Sequence, residues 1–222
     1  MDAARKPRVL FVYYTFTKQA LKVTEDMESV FRDRGWEIER AEIEFTDARY
    51  KERFAHFPLK HRYLDIIRLL PAQLRRATGE IRIPDNARGG DYDLVVIGSP
   101  TWWLTTCMPI RSYLKSSESA ALLKGRKVAA FVVCRRYWKN NLHTVQTLAQ
   151  EQGATCVDAT HFAYLGGQVR SLLSLISYLG TGEYRDKYLG VKIPPTNLQP
   201  DGDDAARAFA TTLADRIGAP AA

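Results

Sequence analysis

Apolar and polar residues alternate along the chain in two patterns that predict strands followed by helices. Mostly apolar runs at 8–13, 94–98, 127–133 and 154–160 predict buried strands, and the alternating segment 36–43 predicts a strand near a sheet edge. Helical spacing follows at 17–34, 109–115, 141–152 and 203–217. Strands that are apolar on both faces are typical of a parallel sheet covered by helices on both sides. The chain is therefore predicted to be an α/β protein with a doubly wound, five-stranded parallel sheet in the order 2-1-3-4-5.

Two segments interrupt this alternation, and we expect both to be additions to one domain over 1–222. The segment 46–91 predicts a helical insertion after the second strand, with an apolar stripe at Tyr63, Ile66, Ile67, Leu70 and Leu74. Pro71 is expected to end or kink that helix. The segment 162–200 predicts an extended last crossover whose helix, 169–179, is rich in leucine. That helix would be buried in the domain or in a homodimer contact, or would form a lid over a lipophilic substrate.

The positive charge of the chain is concentrated in the insertion. The net charge is +7, and the segment 49–76 carries eight basic and two acidic residues, or 8 − 2 = +6. Such a local block indicates a local partner. A solvated basic face and a peripheral contact with an anionic membrane surface are the two alternatives. Nucleic acid is not expected as a partner, because no recognised nucleic-acid-binding fold accompanies the charge.

The rest of the composition argues against a membrane-spanning protein, a secreted protein and a metal-binding protein. No apolar run approaches the length of a bilayer-spanning helix, and the first residues lack the pattern of a signal peptide, so we expect a cytoplasmic protein. The three cysteines and four histidines show no metal-ligand spacing, and no metal site is expected.

Three unusual loops follow the first, third and fourth predicted strands. In the predicted strand order their carboxyl ends meet at one edge of the sheet, where open α/β sheets bind ligands. The first loop, 14–20, leads into a helix and offers hydroxyl groups and backbone N–H groups to a phosphate, although Thr15 or Thr17 could instead cap the helix. The second, 99–108, carries Trp102 and Trp103, which could stack on a planar ring or fill the core or a dimer contact. The third, 134–140, is aromatic and basic, and a solvated surface loop is its alternative.

The order and content of these loops resemble the flavodoxin-like family of FMN proteins. In that family a Ser/Thr-x-Thr-Gly-x-Thr loop binds the FMN phosphate, and two later loops hold the isoalloxazine ring. Thr15 and Thr17 match the first two hydroxyl positions, and the segment 98–103 resembles the ring-stacking loop of the quinone-reductase-like members. The resemblance implies FMN as the cofactor and sixteen contact residues: Thr15, Phe16, Thr17, Lys18, Gln19, Ala20, Ser99, Pro100, Thr101, Trp102, Trp103, Leu104, Cys134, Arg135, Arg136 and Tyr137.

The sequence also departs from the family pattern. Lys18 stands where the family usually has glycine, and Ala20 where it has the last threonine. The basic insertion is unlike the acidic surface of electron-carrier flavodoxins. The resemblance therefore implies an FMN-dependent oxidoreductase that passes electrons or hydride from a donor, NAD(P)H or a redox protein, to a quinone-like or other flat small-molecule acceptor. An accessory protein of the same fold that has lost FMN, and a protein that binds another anionic ring such as a deazaflavin, are the alternatives.

Overall fold

The computed structural model describes residues 5–54, 57–135, 137–164, 166–196, 198 and 200–218. Its central sheet contains five parallel strands in the order β2-β1-β5-β7-β8. These strands are β1 (Arg8–Tyr13), β2 (Glu37–Glu42), β5 (Leu94–Trp102), β7 (Lys127–Cys134) and β8 (Thr155–Ala163). The predicted order of the sheet is confirmed, and β2 lies at its edge as the alternating pattern indicated.

Helices lie between these strands and after the last of them, and short strands accompany them in the insertion, in the hairpin after β5 and in the last crossover. The helices are α1 (Gln19–Asp33), α2 (Lys51–Phe54), α3 (Arg62–Leu74), α4 (Met108–Leu114), α5 (Ser117–Leu123), α6 (Trp138–Glu151), α7 (Gln168–Thr181) and α8 (Pro200–Gly218). The short strands are β3 (Glu44–Phe45), β4 (Ile81–Arg82), β6 (Thr105–Thr106), β9 (Lys187–Tyr188) and β10 (Val191–Lys192).

Two apolar cores lie on opposite faces of the sheet, because successive side chains of a strand point to opposite sides. On one face, Val9 and Phe11 of β1 pack against α1 and α8. On the other, Leu10 and Val12 pack against α4, α6 and the insertion. The buried strands are apolar on both faces for this reason, which is why their positions could be predicted.

The third strand of the sheet is longer than its apolar run. We predicted a strand over 94–98 followed by a loop, whereas β5 continues to Trp102 and turns back into β6. Thr101 and Trp102 pair with Thr106 and Thr105, so residues 103 and 104 form a two-residue hairpin turn. The polar and aromatic residues of the extension hide it from a search for apolar runs.

The helix of the insertion does not end at its proline, and its buried face differs from the predicted one. α3 continues through Pro71, which lies inside it. Proline leaves the carbonyl of Ile67 without its helical donor, and Ile67 is exposed, so water can reach that part of the helix. The predicted stripe is also wrong as a buried face. Ile67 and Leu74 are exposed, and the buried line consists instead of Asp65, Leu69 and Gln73.

Arg111 of α4 explains why a polar residue is buried on α3. Its guanidinium donates hydrogen bonds to Gln73 Oε1 at 3.0 Å, to the Ala77 carbonyl at 2.9 Å and to the Thr106 carbonyl at 2.5 Å. One buried side chain therefore joins the end of α3 to α4 and to the hairpin after β5. This contact fixes the insertion beside the carboxyl edge of the sheet.

Candidate functional site

A largely apolar cavity of about 290 Å³ lies at the carboxyl ends of β1, β5 and β7. All three loops singled out in the sequence contribute to its wall. The contributing residues are Thr15, Phe16, Thr17, Gln19 and Ala20 from the first loop, Pro100, Thr101, Trp102 and Trp103 from the second, and Cys134, Arg135 and Tyr137 from the third. The structure thus brings together twelve of the sixteen predicted site residues, because parallel strands end at one edge.

The first loop ends in an unusual backbone conformation. Lys18 is the N-terminal capping residue of α1, it has a left-handed backbone (φ 62°), and its side chain makes no capping hydrogen bond. Thr15 and Thr17 line the cavity here and carry hydroxyl groups. The first turn of a helix leaves backbone N–H groups without intrahelical acceptors. This end of the cavity can therefore offer N–H and hydroxyl donors to an anionic group.

Gln19 holds the first loop against the end of the last crossover. Its Oε1 accepts a hydrogen bond from the Leu198 backbone N–H at 2.9 Å, and its Nε2 donates to the Thr17 carbonyl at 3.3 Å. Because Gln19 is buried, these bonds are shielded from water and fix the approach to α1.

The two tryptophans of the second loop have different surroundings. Trp102 stacks on Phe54 with ring centroids 5.1 Å apart and meets Tyr14 edge-on at 5.5 Å, so it is largely a packing residue. Trp103 is exposed, has a positive φ of 57°, and donates from Nε1 to the Ile66 carbonyl at 3.2 Å. Of the two alternatives that the sequence allows, core packing therefore applies to Trp102. Trp103 lies at the opening of the cavity.

The start of α6 fixes the second and third loops together. Asn140 donates to the Leu104 carbonyl at 2.8 Å, and Asn141 donates to Thr101 Oγ1 at 2.9 Å. These bonds connect the hairpin turn to the residues that follow Tyr137. The relative position of the two loops is therefore set by backbone and amide groups.

Arg135 is the one charged side chain among the described residues that line the cavity. Partial burial lowers the pKa of its guanidinium, because the charged form is less well solvated there than in water. Burial also raises the pKa of the Cys134 thiol to about 12 and raises that of Tyr164, so both stay neutral at ordinary pH. The described wall therefore carries one cationic side chain, Arg135, and no anionic one.

Two helices outside the three loops complete the wall. α3 and the segment before it contribute Leu59, Ile66, Ile67 and Leu69, and α7 contributes Leu172, Leu175, Ile176 and Leu179. The apolar segment 169–179 is therefore part of the cavity wall. For α7 the sequence predicts a lid over a lipophilic substrate only as one of several alternatives. For α3 it predicts no place in the cavity wall. The leucine and isoleucine residues of the two helices are the sequence feature from which a place in the cavity wall could be inferred.

Three predicted site residues lie outside the wall. Lys18 has an exposed side chain whose Nζ lies 4.0 Å from Glu42 Oε1, because its left-handed backbone turns it towards β2. Ser99 is buried within β5 and its hydroxyl donates to the Pro100 carbonyl, while Leu104 is exposed in the hairpin turn. The fourth, Arg136, falls outside the described residues.

Neither a metal centre nor a membrane span is found in the part of the chain that the structure describes. Its His, Cys, Asp and Glu side chains form no group of three or more that could hold a metal ion. Its helices include none with the length and apolar character needed to cross a bilayer.

Comparison with solved structures identifies the fold. A flavoprotein in complex with FMN from Lactobacillus acidophilus superposes with a TM-score of 0.52 at 19% identity, covering 70% of this chain and 93% of that one. Flavodoxin 1 from Bacillus cereus superposes with a TM-score of 0.53 at 12% identity, covering 95% and 99%. Flavodoxin 2 from the same organism gives 0.51 at 13% identity, covering 94% and 99%.

At the level of sequence, no protein-family model and no curated protein matches the chain. The resemblance to flavodoxins is therefore a resemblance of structure, which confirms the architecture that the loops and strands predicted. The chain has the flavodoxin-like fold.

Proposed function

We propose that the chain binds FMN in the cavity and acts as an FMN-dependent oxidoreductase. The observation that carries this proposal is the convergence of three separate loops and the start of α1 on one largely apolar cavity at the carboxyl edge of the sheet. The solved structures of the same fold include one in complex with FMN. The residues fit such a ligand, since the wall provides hydroxyl donors for a phosphate in the first loop and aromatic rings in the second and third loops.

The phosphate would be held at the first loop. Thr15 and Thr17 supply hydroxyl groups, and the first turn of α1 supplies N–H groups and the positive end of its dipole. Lys18, which stands where the family usually has glycine, has the left-handed backbone conformation that glycine adopts without strain. The Lys18 side chain lies near Glu42 and outside the cavity wall, so the phosphate contact would use hydroxyl and backbone N–H groups instead.

The planar ring would lie towards Trp103 and Tyr137, which line the cavity and are exposed at its opening. Leucine and isoleucine side chains of α3 and α7 exclude water from the opposite wall. Arg135 supplies a positive charge that would stabilise negative charge on a reduced ligand. No side chain is required as an acid or a base.

When bound, FMN supplies the redox chemistry, accepting electrons or hydride from a donor such as NAD(P)H and passing them to a flat acceptor. The chain's own residues bind and orient the cofactor and limit the access of water. The apolar wall favours an uncharged, quinone-like acceptor over a small polar one.

Titration of the purified chain with FMN tests the proposal. Binding should quench flavin and tryptophan fluorescence, because Trp103 and Trp102 border the cavity. Thr17→Asp places a carboxylate at the phosphate end and should weaken binding about 10- to 100-fold, or about 1.5–3 kcal/mol. Thr212→Asp, on the exposed face of α8, adds the same charge away from the cavity and should leave the affinity unchanged.

Absence of quenching by FMN in the unmodified, folded chain would overturn the proposal and favour an accessory protein that has lost the cofactor. Mass spectrometry of small molecules released on denaturation distinguishes FMN from a deazaflavin. Equal weakening by both aspartate variants would place the phosphate elsewhere. Oxidation of NAD(P)H with a quinone acceptor then tests the enzyme activity separately from binding.

A further inference from the structure

An exposed apolar stripe runs along the outer face of α3. Leu64, Ile67 and Leu74 are 52%, 57% and 69% exposed. Their spacing of three and seven residues places them on one side of the helix, with the exposed Pro71 between them. Single exposed leucines need no explanation, but an aligned set on one helix indicates a contact surface.

The stripe is continuous with the opening of the cavity. Four residues line the cavity and are also exposed, so they form its rim: Ile67, Trp103, Tyr137 and Leu172. Ile67 belongs to both the stripe and the rim. The hydrogen bond from Trp103 Nε1 to the Ile66 carbonyl fixes the aromatic side of the rim against α3. We call the stripe and the rim together the mouth surface.

Positive charge borders the apolar part of this surface. Arg68 and Arg75 are exposed, and they follow Leu64 and Pro71 by four residues, which places them beside the stripe. Asp65 is the one acidic residue in the sequence of α3, and it is buried with its Oδ1 3.6 Å from Arg53 Nε. The outward face of α3 is therefore apolar and cationic, with its carboxylate turned inward.

We propose that the mouth surface docks on the surface of an anionic lipid bilayer. Aliphatic side chains on an exposed helix gain free energy when they enter the boundary between headgroups and acyl chains, and arginines beside them bind lipid phosphates. A nucleic acid would satisfy the arginines but leave the leucine and isoleucine side chains against water or phosphate. The combination of the two residue types on one helix face favours lipid.

Docking in this orientation places the opening of the cavity against the bilayer. An apolar molecule dissolved in the membrane could then enter between Ile67 and Leu172 without passing through water. The membrane contact uses no atom of the proposed cofactor. It can therefore be tested independently of FMN binding.

Sedimentation with lipid vesicles tests the docking. The full chain should bind vesicles of phosphatidylcholine mixed with phosphatidylglycerol, bind pure phosphatidylcholine vesicles far less, and dissociate as salt is raised. Arg68→Glu with Arg75→Glu should weaken binding about a hundredfold, since each basic residue near the surface contributes about fivefold and its reversal adds repulsion. Ile67→Asp with Leu74→Asp should also abolish binding. All four positions are exposed, so the fold should tolerate them.

The matched control is Lys124→Glu with Lys127→Glu. Both lysines are exposed near the amino end of β7, at the opposite edge of the sheet, and their reversal changes net charge equally. This variant should retain most of the binding. Equal loss in both charge variants, equal binding to neutral and anionic vesicles, or binding of a DNA duplex without vesicle binding would each overturn the proposal. The same samples titrated with FMN show whether the cavity is intact.

Discussion

At the scale of single residues, two non-glycine residues with positive φ lie beside the cavity. Lys18 ends the first loop at φ 62°, and Trp103 begins the hairpin turn of the second at φ 57°. A side chain in this region is strained by contact between Cβ and the backbone, at about 1–2 kcal/mol for each residue. Residues held in such conformations are found more often at functional sites than elsewhere. Their placement here agrees with a binding role for both loops.

Replacing Lys18 by glycine should stabilise the chain. Lys18→Gly removes the Cβ strain and loses part of that gain to the greater freedom of glycine in the unfolded chain, so we expect about 0.5–1 kcal/mol of net stabilisation. Urea denaturation measures the difference. Lys18→Ala keeps the strain while removing the same charge and should not stabilise the chain. Equal effects of the two variants would show that the lysine charge, and not the backbone, decides the result.

At the scale of elements, the insertion depends on buried polar contacts that its apolar pattern does not reveal. Arg111→Lys tests the contact that fixes α3, because a lysine ammonium cannot reach all three acceptors that the guanidinium joins. We expect a loss of about 2–3 kcal/mol in the free energy of unfolding, since buried acceptors are left without donors. Arg126→Lys, at a more exposed arginine, should cost less than about 1 kcal/mol. A loss no larger at Arg111 than at Arg126 would contradict this role.

Asp47 joins the two ends of the insertion. Its carboxylate should make the stability of the folded chain depend on pH in the acidic range. Its carboxylate accepts hydrogen bonds from the Arg49 side chain and from the backbone N–H groups of Arg49 and Glu80, which lower its pKa to about 2. A carboxyl group with a lowered pKa in the folded chain stabilises that chain fully above its ordinary pKa. That contribution is lost as the pH falls through about 2.

Asp47→Asn should therefore destabilise the chain by about 2 kcal/mol at neutral pH, and the difference from the unmodified chain should shrink below about pH 4. Denaturation at several pH values measures this difference. Asp85→Asn removes a fully exposed carboxylate and provides the control, with little effect expected at any pH. A difference at Asp47 that stays constant with pH would show that its hydrogen bonds do not depend on its charge.

The same elements show what the sequence could predict. Strands buried on both faces, such as β1 and β7, have apolar runs that mark them within one or two residues. The two-residue strands β3, β4, β6, β9 and β10 are too short to show any periodicity, and the sequence predicts none of them. α3 was predicted with the wrong buried face, because Arg111 and Arg53 make Gln73 and Asp65 suitable for burial. Such partners are distant in sequence, so a local pattern cannot reveal them.

At the scale of the whole molecule, the sequence predicts the meeting of the three loops at one cavity better than it predicts the remaining walls of that cavity. Strand order alone brings the three loops together, and therefore Thr17, Trp103 and Tyr137 could be assigned to one cavity. The direction of each side chain depends on local φ and on packing. Lys18 consequently lies outside the cavity wall, and only the structure shows which of the two tryptophans is the packing residue.

The wall of the cavity is formed by segments that are far apart in the sequence. The sheet and its loops supply one side, while α3 of the insertion and α7 of the last crossover supply the other. Substitutions in these two helices can alter which molecules fit while the sheet keeps its apolar core. Diversification of this architecture towards new ligands would therefore concentrate in α3 and α7, and a mutant library confined to Ile66, Ile67, Leu172 and Ile176, which line the cavity without being fully buried, would sample selectivity and leave the buried contacts of Asp65 and Gln73 in place.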